Sequence, residues 1–227
     1  MGAVPAARFV TSEVRDLLDY DGLRRESAAL MVVVTVRRPT IVLGSRQGRD
    51  LLAPGVDPSS VRRRRGGGGA VLAQPGDLWV DWWIPPSDPR WDADVRRSAV
   101  AAGQWWRAAL ASLTPGDVVV YDGPLEGAAA HQVACFAGRG PGEVFVDGRK
   151  AVGLTQWRVR EGILLSSVLP AADSADLVAL LADPPDGLAA ALTHATTRSL
   201  GLDDRDEVIG RLADASGRWT RRDRHLD

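Results

Sequence analysis

Residues 62–69 read Arg-Arg-Arg-Arg-Gly-Gly-Gly-Gly, and the chain runs straight on into Ala70-Val-Leu-Ala73. Four successive glycines do not sit inside a helix or a strand. Each costs conformational entropy and supplies no side chain to pack. They suit a place where backbone amides wrap a ligand, since a row of such amides makes an anion nest. A flexible linker and a basic nucleic-acid patch are the other two readings. The apolar residues that follow argue for order on both sides of the glycines. A net charge of −1 gives no general attraction to nucleic acid or to acidic membranes. The Gly-Lys-Ser/Thr ending of a P-loop is missing, and the spacing does not fit the dinucleotide fingerprint.

A second stretch, Asp147-Gly-Arg-Lys-Ala-Val-Gly153, holds Lys150, the only lysine among 28 basic residues. Lysine offers a compact ammonium with freely aimed donors, where arginine offers a wide planar fork. A position that keeps lysine in an arginine-rich chain fits a tight anion or carbonyl pocket; chance survival in an exposed turn is the alternative. Glu143-Val-Phe-Val146 alternates like a strand, Asp147-Gly148 is a hairpin turn signal, and an apolar run returns from Ala151. Lys150 is therefore expected at the start of a return strand. Gly153, inside that strand, permits close approach to the backbone.

A chain of 227 residues with 45% apolar content can build a sizeable core, and a single domain over residues 1–227 is expected. Cys135 stands alone, which excludes an intrachain disulfide and permits a reducing compartment. His131, His194 and His225 show no metal-ligand spacing, so no protein metal motif is expected. The start lacks the pattern of a signal peptide, and the longest apolar run, 28–36, is too short to span a bilayer. The expectation is a soluble cytoplasmic protein with no nucleic-acid or membrane partner.

Along the chain, a short helix is expected over Ser12–Leu18 and another over Gly22–Leu30, then strands over Met31–Val36 and Pro39–Gly44. Leu78–Ile84 reads as a strand rich in tryptophan, closed by Pro85-Pro86. Apolar residues at helical spacing from Val95 to Leu113 predict an amphipathic helix over Asp92–Leu113. Strands follow over Asp117–Tyr121, His131–Phe136 and Gly162–Leu169, with a glycine-rich loop over Asp122–Ala130. Residues 174–210 read as helical, broken at Pro184-Pro185. The order implies an α+β fold with α/β layering, a mostly antiparallel sheet flanked by helices.

Three stretches, in order, resemble the catalytic-domain family of lipoate-protein ligases and biotin ligases. Pro39-Thr-Ile-Val-Leu-Gly-Ser-Arg-Gln47 is similar to its strand ending in glycine and then glutamine. Arg64-Arg-Gly-Gly-Gly-Gly-Ala-Val71 is similar to its Arg-Arg-Ser/Thr-Gly-Gly-Gly-Ala-Val loop. Glu143 to Gln156 resembles its acidic residue, strand and Lys-x-x-Gly-Ser-x-Gln hairpin. The chain departs from the family at Gly66, where Ser or Thr is usual, at Ala73, where many members carry His, and at Leu165-Ser166, in place of a His-Gly pair. With few residues remaining after Leu169, no carboxy-terminal accessory domain like that of the bacterial ligases is expected.

The resemblance implies attachment of lipoate or octanoate to a lysine of a lipoyl domain, through an acyl-adenylate made from ATP with Mg2+. It implies that Lys150 contacts the acyl carbonyl and the phosphate. Arg64, Arg65, Gly67, Gly68, Gly69, Ala70, Val71, Glu143, Gly153 and Gln156 would then enclose the acyl-adenylate, with Val71, Trp79 and Val152 walling the acyl tunnel. The implied partners are the lipoyl domains of 2-oxoacid dehydrogenases or the glycine cleavage H protein. An octanoyltransferase branch instead carries the acyl group from acyl carrier protein on a cysteine, in an Ala-Cys-Phe context like Ala134-Cys-Phe136. Cys135 thus has two readings, a nucleophile activated by a nearby ammonium and a small buried apolar residue, of which packing is the commoner fate. A third reading is an acyl-binding member without turnover.

Overall fold

The computed structural model describes residues 8–13, 20–192, 194–217 and 220–221. In chain order the elements are β1 (Arg8–Glu13), α1 (Tyr20–Arg24), β2 (Leu30–Thr35), β3 (Thr40–Leu43), β4 (Val61–Arg63), β5 (Val71–Ala73), β6 (Leu78–Ile84), α2 (Val95–Leu110), β7 (Val118–Val120), α3 (Ala128–Val133), β8 (Val144–Val146), β9 (Arg149–Val159), β10 (Gly162–Leu169), α4 (Leu188–Ala191), α5 (Arg205–Ala215) and β11 (Thr220–Arg221). Eight strands form one sheet in the order β11-β1-β2-β6-β10-β9-β8-β7, and β4-β3-β5 form a second, smaller one. The pairings of β1 with β2 and with β11 are parallel; every other neighbour in the large sheet is antiparallel. The fold is α+β, with a mostly antiparallel sheet and flanking helices, as the order of elements predicts.

The middle of the large sheet is covered on both faces, which explains its strands. All seven residues of β6 are buried. Trp79 and Trp83 point into one apolar cluster, while Leu78, Val80, Trp82 and Ile84 point into the other. A strand buried on both faces reads as a continuous apolar run rather than an alternation. Asp81 is the one charged residue in that run.

Helices α2 and α5 close the second of these faces. Helix α2 starts where the Asp94 carboxylate accepts from the Arg97 amide, and lays Ala102, Trp106, Ala109 and Leu110 on the sheet. Helix α5 is capped by Asp204, which accepts from the amides of Asp206 and Glu207. On the opposite face sit the small sheet, the glycine stretch, residues 134–136 and the short helices after β10.

Four local expectations are corrected. Ser12 and Glu13 belong to strand β1 rather than to a helix, and residues 14–18 lie outside the described residues. Helix α1 ends at Arg24, six residues before β2 begins. The strand expected over His131–Phe136 is α3 followed by a single 3-10 turn over Cys135–Ala137, because three alanines entered from Gly127 at φ +78° start a helix there. Only Ala134 stays extended, and it bridges Ala70. The region 174–210 is broken into 3-10 turns at Ala175–Leu180 and Arg198–Leu200, with α4 between them and α5 beginning only at Arg205.

Candidate functional site

The site lies between the large sheet and the glycine stretch. Three rows of cross-strand neighbours run over β2, β6, β10 and β9 on this face: Val34-Trp79-Val168-Gly153, Val32-Asp81-Ser166-Thr155 and Leu30-Trp83-Leu164-Trp157. Two rows are essentially apolar; the middle one is polar in three of its four places. Above them are two adjoining hollows of about 10 and 20 Å3, each with room for roughly one water. Both are bordered by Arg64, Trp79, Thr155 and Ser166. Tyr20 and Asp81 extend one of them, Val71 and Cys135 the other.

Arg64 builds the roof. It is buried, and its guanidinium donates to Val42 O (3.0 Å), Gly67 O (2.7 and 3.2 Å) and Gly69 O (2.7 Å). Burial holds its pKa below the ordinary arginine value. The loop carbonyls are thereby drawn inward. Gly66 O accepts from the Ser45 amide, and Gly67 O accepts also from Thr155 Oγ1 at 3.0 Å. The amides of Gly66, Gly67, Gly68 and Gly69 donate to no group among the described residues. In a planar trans peptide the N–H points opposite to the preceding C=O. The hold of Arg64 and Thr155 on Gly67 O therefore turns the Gly68 amide away from them, and the Ser45 amide on Gly66 O turns the Gly67 amide away from Ser45.

Glycine is required at two of these places by contact. A Cβ on Gly69 would lie 2.5 Å from Ala134 N and His131 O, and one on Gly44 would lie 1.9 Å from Gly68 O. Ala70 locks the loop to the segment beside it, donating to Val133 O at 2.8 Å and accepting from the Cys135 amide at 3.0 Å. Gln47 fastens the same place. Its Oε1 accepts from the Gly44 amide (2.9 Å), while its Nε2 donates to the carbonyls of Gln132 (2.6 Å) and Val133 (3.0 Å). Arg65 is exposed and stands over the Tyr20 ring at 5.8 Å, while its amide donates to Tyr20 Oη at 2.9 Å. Burial raises the Tyr20 phenol to about 12.

The hairpin is built as its sequence predicts, with Asp147 at φ +49° and Gly148 at φ +75° in the turn. Lys150, however, is buried at 4% exposure and its ammonium is enclosed. It pairs with Glu143 Oε1 at 2.6 Å and donates to Cys135 O (2.6 Å) and Gly138 O (3.1 Å), lying 5.1 Å from the centre of the Phe136 ring. Three acceptors match the three donors of an ammonium. Glu143 accepts in turn from the Gly140 amide at 2.7 Å; burial pushes its carboxyl up, and Lys150 pulls it back.

Cys135 is buried against this pair. Burial raises its thiol pKa, outweighing the ammonium nearby. His131, four residues earlier, is buried with no hydrogen-bond partner for Nδ1 among the described residues. Burial, and then Lys150, depress it to about 4.

The other expected residues divide. What approaches Gly153 is the Phe136 ring and Cys135 Sγ, 3.1 and 3.5 Å from where a Cβ would stand. Gln156 borders the hollow, but its side chain donates to Val95 O at 2.7 Å and so ties β9 to α2. Val71 and Trp79 border the hollow, whereas Val152 packs in the cluster on the other face of the sheet. The β-bulge at Val144/Phe145 shifts the register there, so strict alternation along β9 misplaces Val152. Asp81, Thr155 and Tyr20 escaped notice in the sequence. A lone acid in a buried apolar run is a legible signal for Asp81; Tyr20 carries none.

Among the described residues no group of three or more His, Cys, Asp or Glu is placed to hold a metal ion, and no helix is long and apolar enough to cross a membrane. No family model matches the sequence, and no curated protein matches it. Solved structures do. A bi-partite lipoate protein ligase from Thermoplasma acidophilum, described with its E2 lipoyl domain, superposes with a TM-score of 0.74 at 16% identity, covering 97% of this chain and 88% of that one. The chain has the lipoate-protein ligase fold. Lipoate-protein ligase A bound with ATP gives a TM-score of 0.69 at 16% identity over 97% of this chain and 90% of that one. The Thermoplasma acidophilum protein Ta0514 with bound lipoic acid gives 0.71 at 14% identity, over 98% and 90%. Within this ligase fold the glycine loop, the slot beneath it and the Lys150 hairpin are three neighbouring parts of one face.

Proposed function

We propose that this chain attaches a carboxylic acid of the lipoate or octanoate class to a lysine of a lipoyl domain, by way of an acyl-adenylate made from ATP. The observation that carries the reading is the row of unengaged amides at Gly66–Gly69, at the rim of a mainly apolar slot, on a lipoate-protein ligase fold. In the first step a carboxylate oxygen bonds to the α-phosphorus and pyrophosphate leaves. In the second the neutral lysine amine bonds to the acyl carbon, the bond to the AMP oxygen breaks, AMP leaves, and the amine gives up one proton to solvent. Negative charge develops on phosphoryl oxygens and then on the carbonyl oxygen, and preformed amide donors stabilise both. Arg64 holds those amides in place, and Lys150, paired with Glu143, holds the carbonyls of Cys135 and Gly138, of which Cys135 borders the slot. A chain of eight carbons needs more room than the present hollows give, so its entry requires Trp79 or the loop to shift. Mg2+ would arrive with the nucleotide; the described residues offer no cluster to hold it, and no step is assigned to it.

The test is mass spectrometry of a lipoyl domain incubated with the protein, ATP and either lipoate or octanoate. A parallel incubation supplies octanoyl carrier protein without ATP. Acylation only in the first supports the adenylate route. Acylation only in the second moves the chemistry to Cys135. A lipoyl domain unchanged in both refutes the attachment of lipoate or octanoate.

A further inference from the structure

Gly66 is buried, and a Cβ built on it would stand 2.5 Å from Thr155 Oγ1 and 3.0 Å from Thr155 Cγ2. Threonine carries two heavy atoms on Cβ and has three staggered positions for them. No rotamer therefore clears both of the positions that face Gly66. Thr155 fills the place where a side chain of residue 66 would lie, which explains glycine at a position where the lipoate- and biotin-ligase pattern has Ser or Thr. The hydroxyl that the loop lacks comes instead from the sheet. Thr155 Oγ1 donates to Gly67 O at 3.0 Å, and Arg64 grips the same oxygen from the roof at 2.7 and 3.2 Å. In the polar row on this face, Asp81 and Ser166 are bonded to the Trp79 indole N–H, at 2.7 and 3.2 Å. Thr155 is the member of that row that reaches the loop, and it borders both hollows. Gly67 O belongs to the same planar peptide as the Gly68 N–H, which has no acceptor among the described residues. Fixing the oxygen fixes the direction of that donor.

We propose that Thr155 is a positioning residue for the adenylation step, its hydroxyl setting the Gly67–Gly68 peptide so that the Gly68 N–H is held ready for the oxygen on which charge develops. The inference rests on the acyl-adenylate reading above. An amide already aimed at the developing charge stabilises it without reorganisation at the moment of reaction. A peptide held from one side only must be oriented at each turnover, and that loss falls on kcat rather than on KM. Gly66 is part of the same device. A side chain there displaces either Thr155 or the loop, and either movement breaks the bond to Gly67 O. Truncating Thr155 to alanine removes both crowding atoms. The nearest remaining neighbour of a side chain at 66 is then Gln156 O at 3.2 Å, which needs only a small shift.

The experiment measures ATP–pyrophosphate exchange with octanoate and with lipoate, taking kcat and the KM for ATP separately, and circular dichroism confirms that each variant folds. Thr155→Val keeps the shape and removes the donor, so kcat should fall roughly five- to tenfold with KM for ATP unchanged. Thr155→Ser restores the hydroxyl and should return most of that loss. Gly66→Ser should lower kcat on the order of a hundredfold in the parent, where Thr155 forces the loop aside. The same change made together with Thr155→Ala should cost no more than a few-fold relative to Thr155→Ala alone, because the crowding atoms are gone. A Thr155→Val protein with the parent kcat overturns the role of the hydroxyl while the adenylate reading stands. A Gly66→Ser penalty of equal size with and without Thr155→Ala overturns the pairing of these two residues. If the parent supports exchange with neither acid, the adenylate reading itself falls and takes the role of Thr155 with it.

Discussion

Lys150 Nζ lies 2.6 Å from Glu143 Oε1, with both side chains 2–3% exposed. The one ammonium in the chain is thus spent inside the protein, on a carboxylate and two carbonyls, rather than held out to solvent. Removing one member of such a pair strands the other charge in a low-dielectric setting, at about 3–5 kcal/mol. Replacing both by apolar groups removes that penalty.

Lys150→Met is therefore expected to lower unfolding stability by about 3–5 kcal/mol, and Lys150→Met with Glu143→Leu to recover most of it. Urea unfolding of the four members of the cycle measures this. A single variant as stable as the parent would show that the pair is not formed. Lys150→Arg is expected to lose stability as well, because a planar fork does not fit among Glu143, two carbonyls and the Phe136 ring.

Arg64 makes a second prediction. Arg64→Met leaves Val42 O, Gly67 O and Gly69 O without their shared donor, so the loop should loosen and stability fall by on the order of 3 kcal/mol. Hydrogen exchange at the Ala70 and Cys135 amides, which tie the loop to its neighbour, should speed up. Unchanged protection there would mean that Arg64 does not hold the loop.

Much of this was legible in the sequence, and the rest has physical reasons for having been hidden. The glycine stretch and the Asp147-Gly148 turn announce themselves in residue types: Gly69 has no room for a Cβ, and Gly68 and Gly148 take positive φ. The burial of Lys150 was not readable, since its acceptors Cys135 O and Gly138 O come from a segment whose alternation suggests a strand and which folds as a helix and a 3-10 turn. The backbone carbonyls that fold supplies are invisible in residue types. Val152 was misplaced for a similar reason: a bulge breaks the alternation on which the guess rested. Arg64 and Arg65 are alike in sequence and opposite in role, one buried under the loop and one exposed over Tyr20.

Gly44 lies outside the slot, yet its substitution should reach the site. A methyl there would stand 1.9 Å from Gly68 O, so the loop must shift. Gly44→Ala is expected to cut kcat/KM on the order of a hundredfold, as a displacement of about 1 Å in a positioned group does. Binding of a sulfamoyl acyl-adenylate analogue should weaken in step. Normal binding by this variant would detach the glycine loop from the ligand.

Cys135→Ser should keep activity within a few-fold of the parent. The thiol is buried and raised in pKa despite the Lys150 ammonium nearby, and His131, four residues earlier, is depressed to about 4 and is a poor base. Alkylation of the native protein near neutral pH should be slow and become fast on unfolding. An octanoyl thioester on Cys135 formed without ATP would transfer the chemistry to that residue.

The last prediction concerns pH. Asp81 has its pKa raised from 3.8 to about 7, so between these values the native state holds a proton that the unfolded state has released. Stability changes with pH as the protons bound by the unfolded state minus those bound by the native state. That difference is negative for Asp81, and its contribution to stability falls as pH rises from about 4 to about 7, by on the order of 4 kcal/mol in all. Asp77, raised to about 6 by burial, acts in the same direction over the lower part of the window. His131, depressed to about 4, and His194, also lowered by burial, act in the opposite direction, because the unfolded state takes up protons that they refuse. The total profile is therefore a balance, and the informative quantity is a difference. Asp81→Asn keeps an acceptor for Trp79 and cannot ionise. Its stability relative to the parent should be lowest near pH 4 and climb steadily to pH 7, then level off. A stability difference that stays flat from pH 4 to pH 7 would mean that Asp81 titrates as an ordinary carboxylate, and that it is not shut away in the slot.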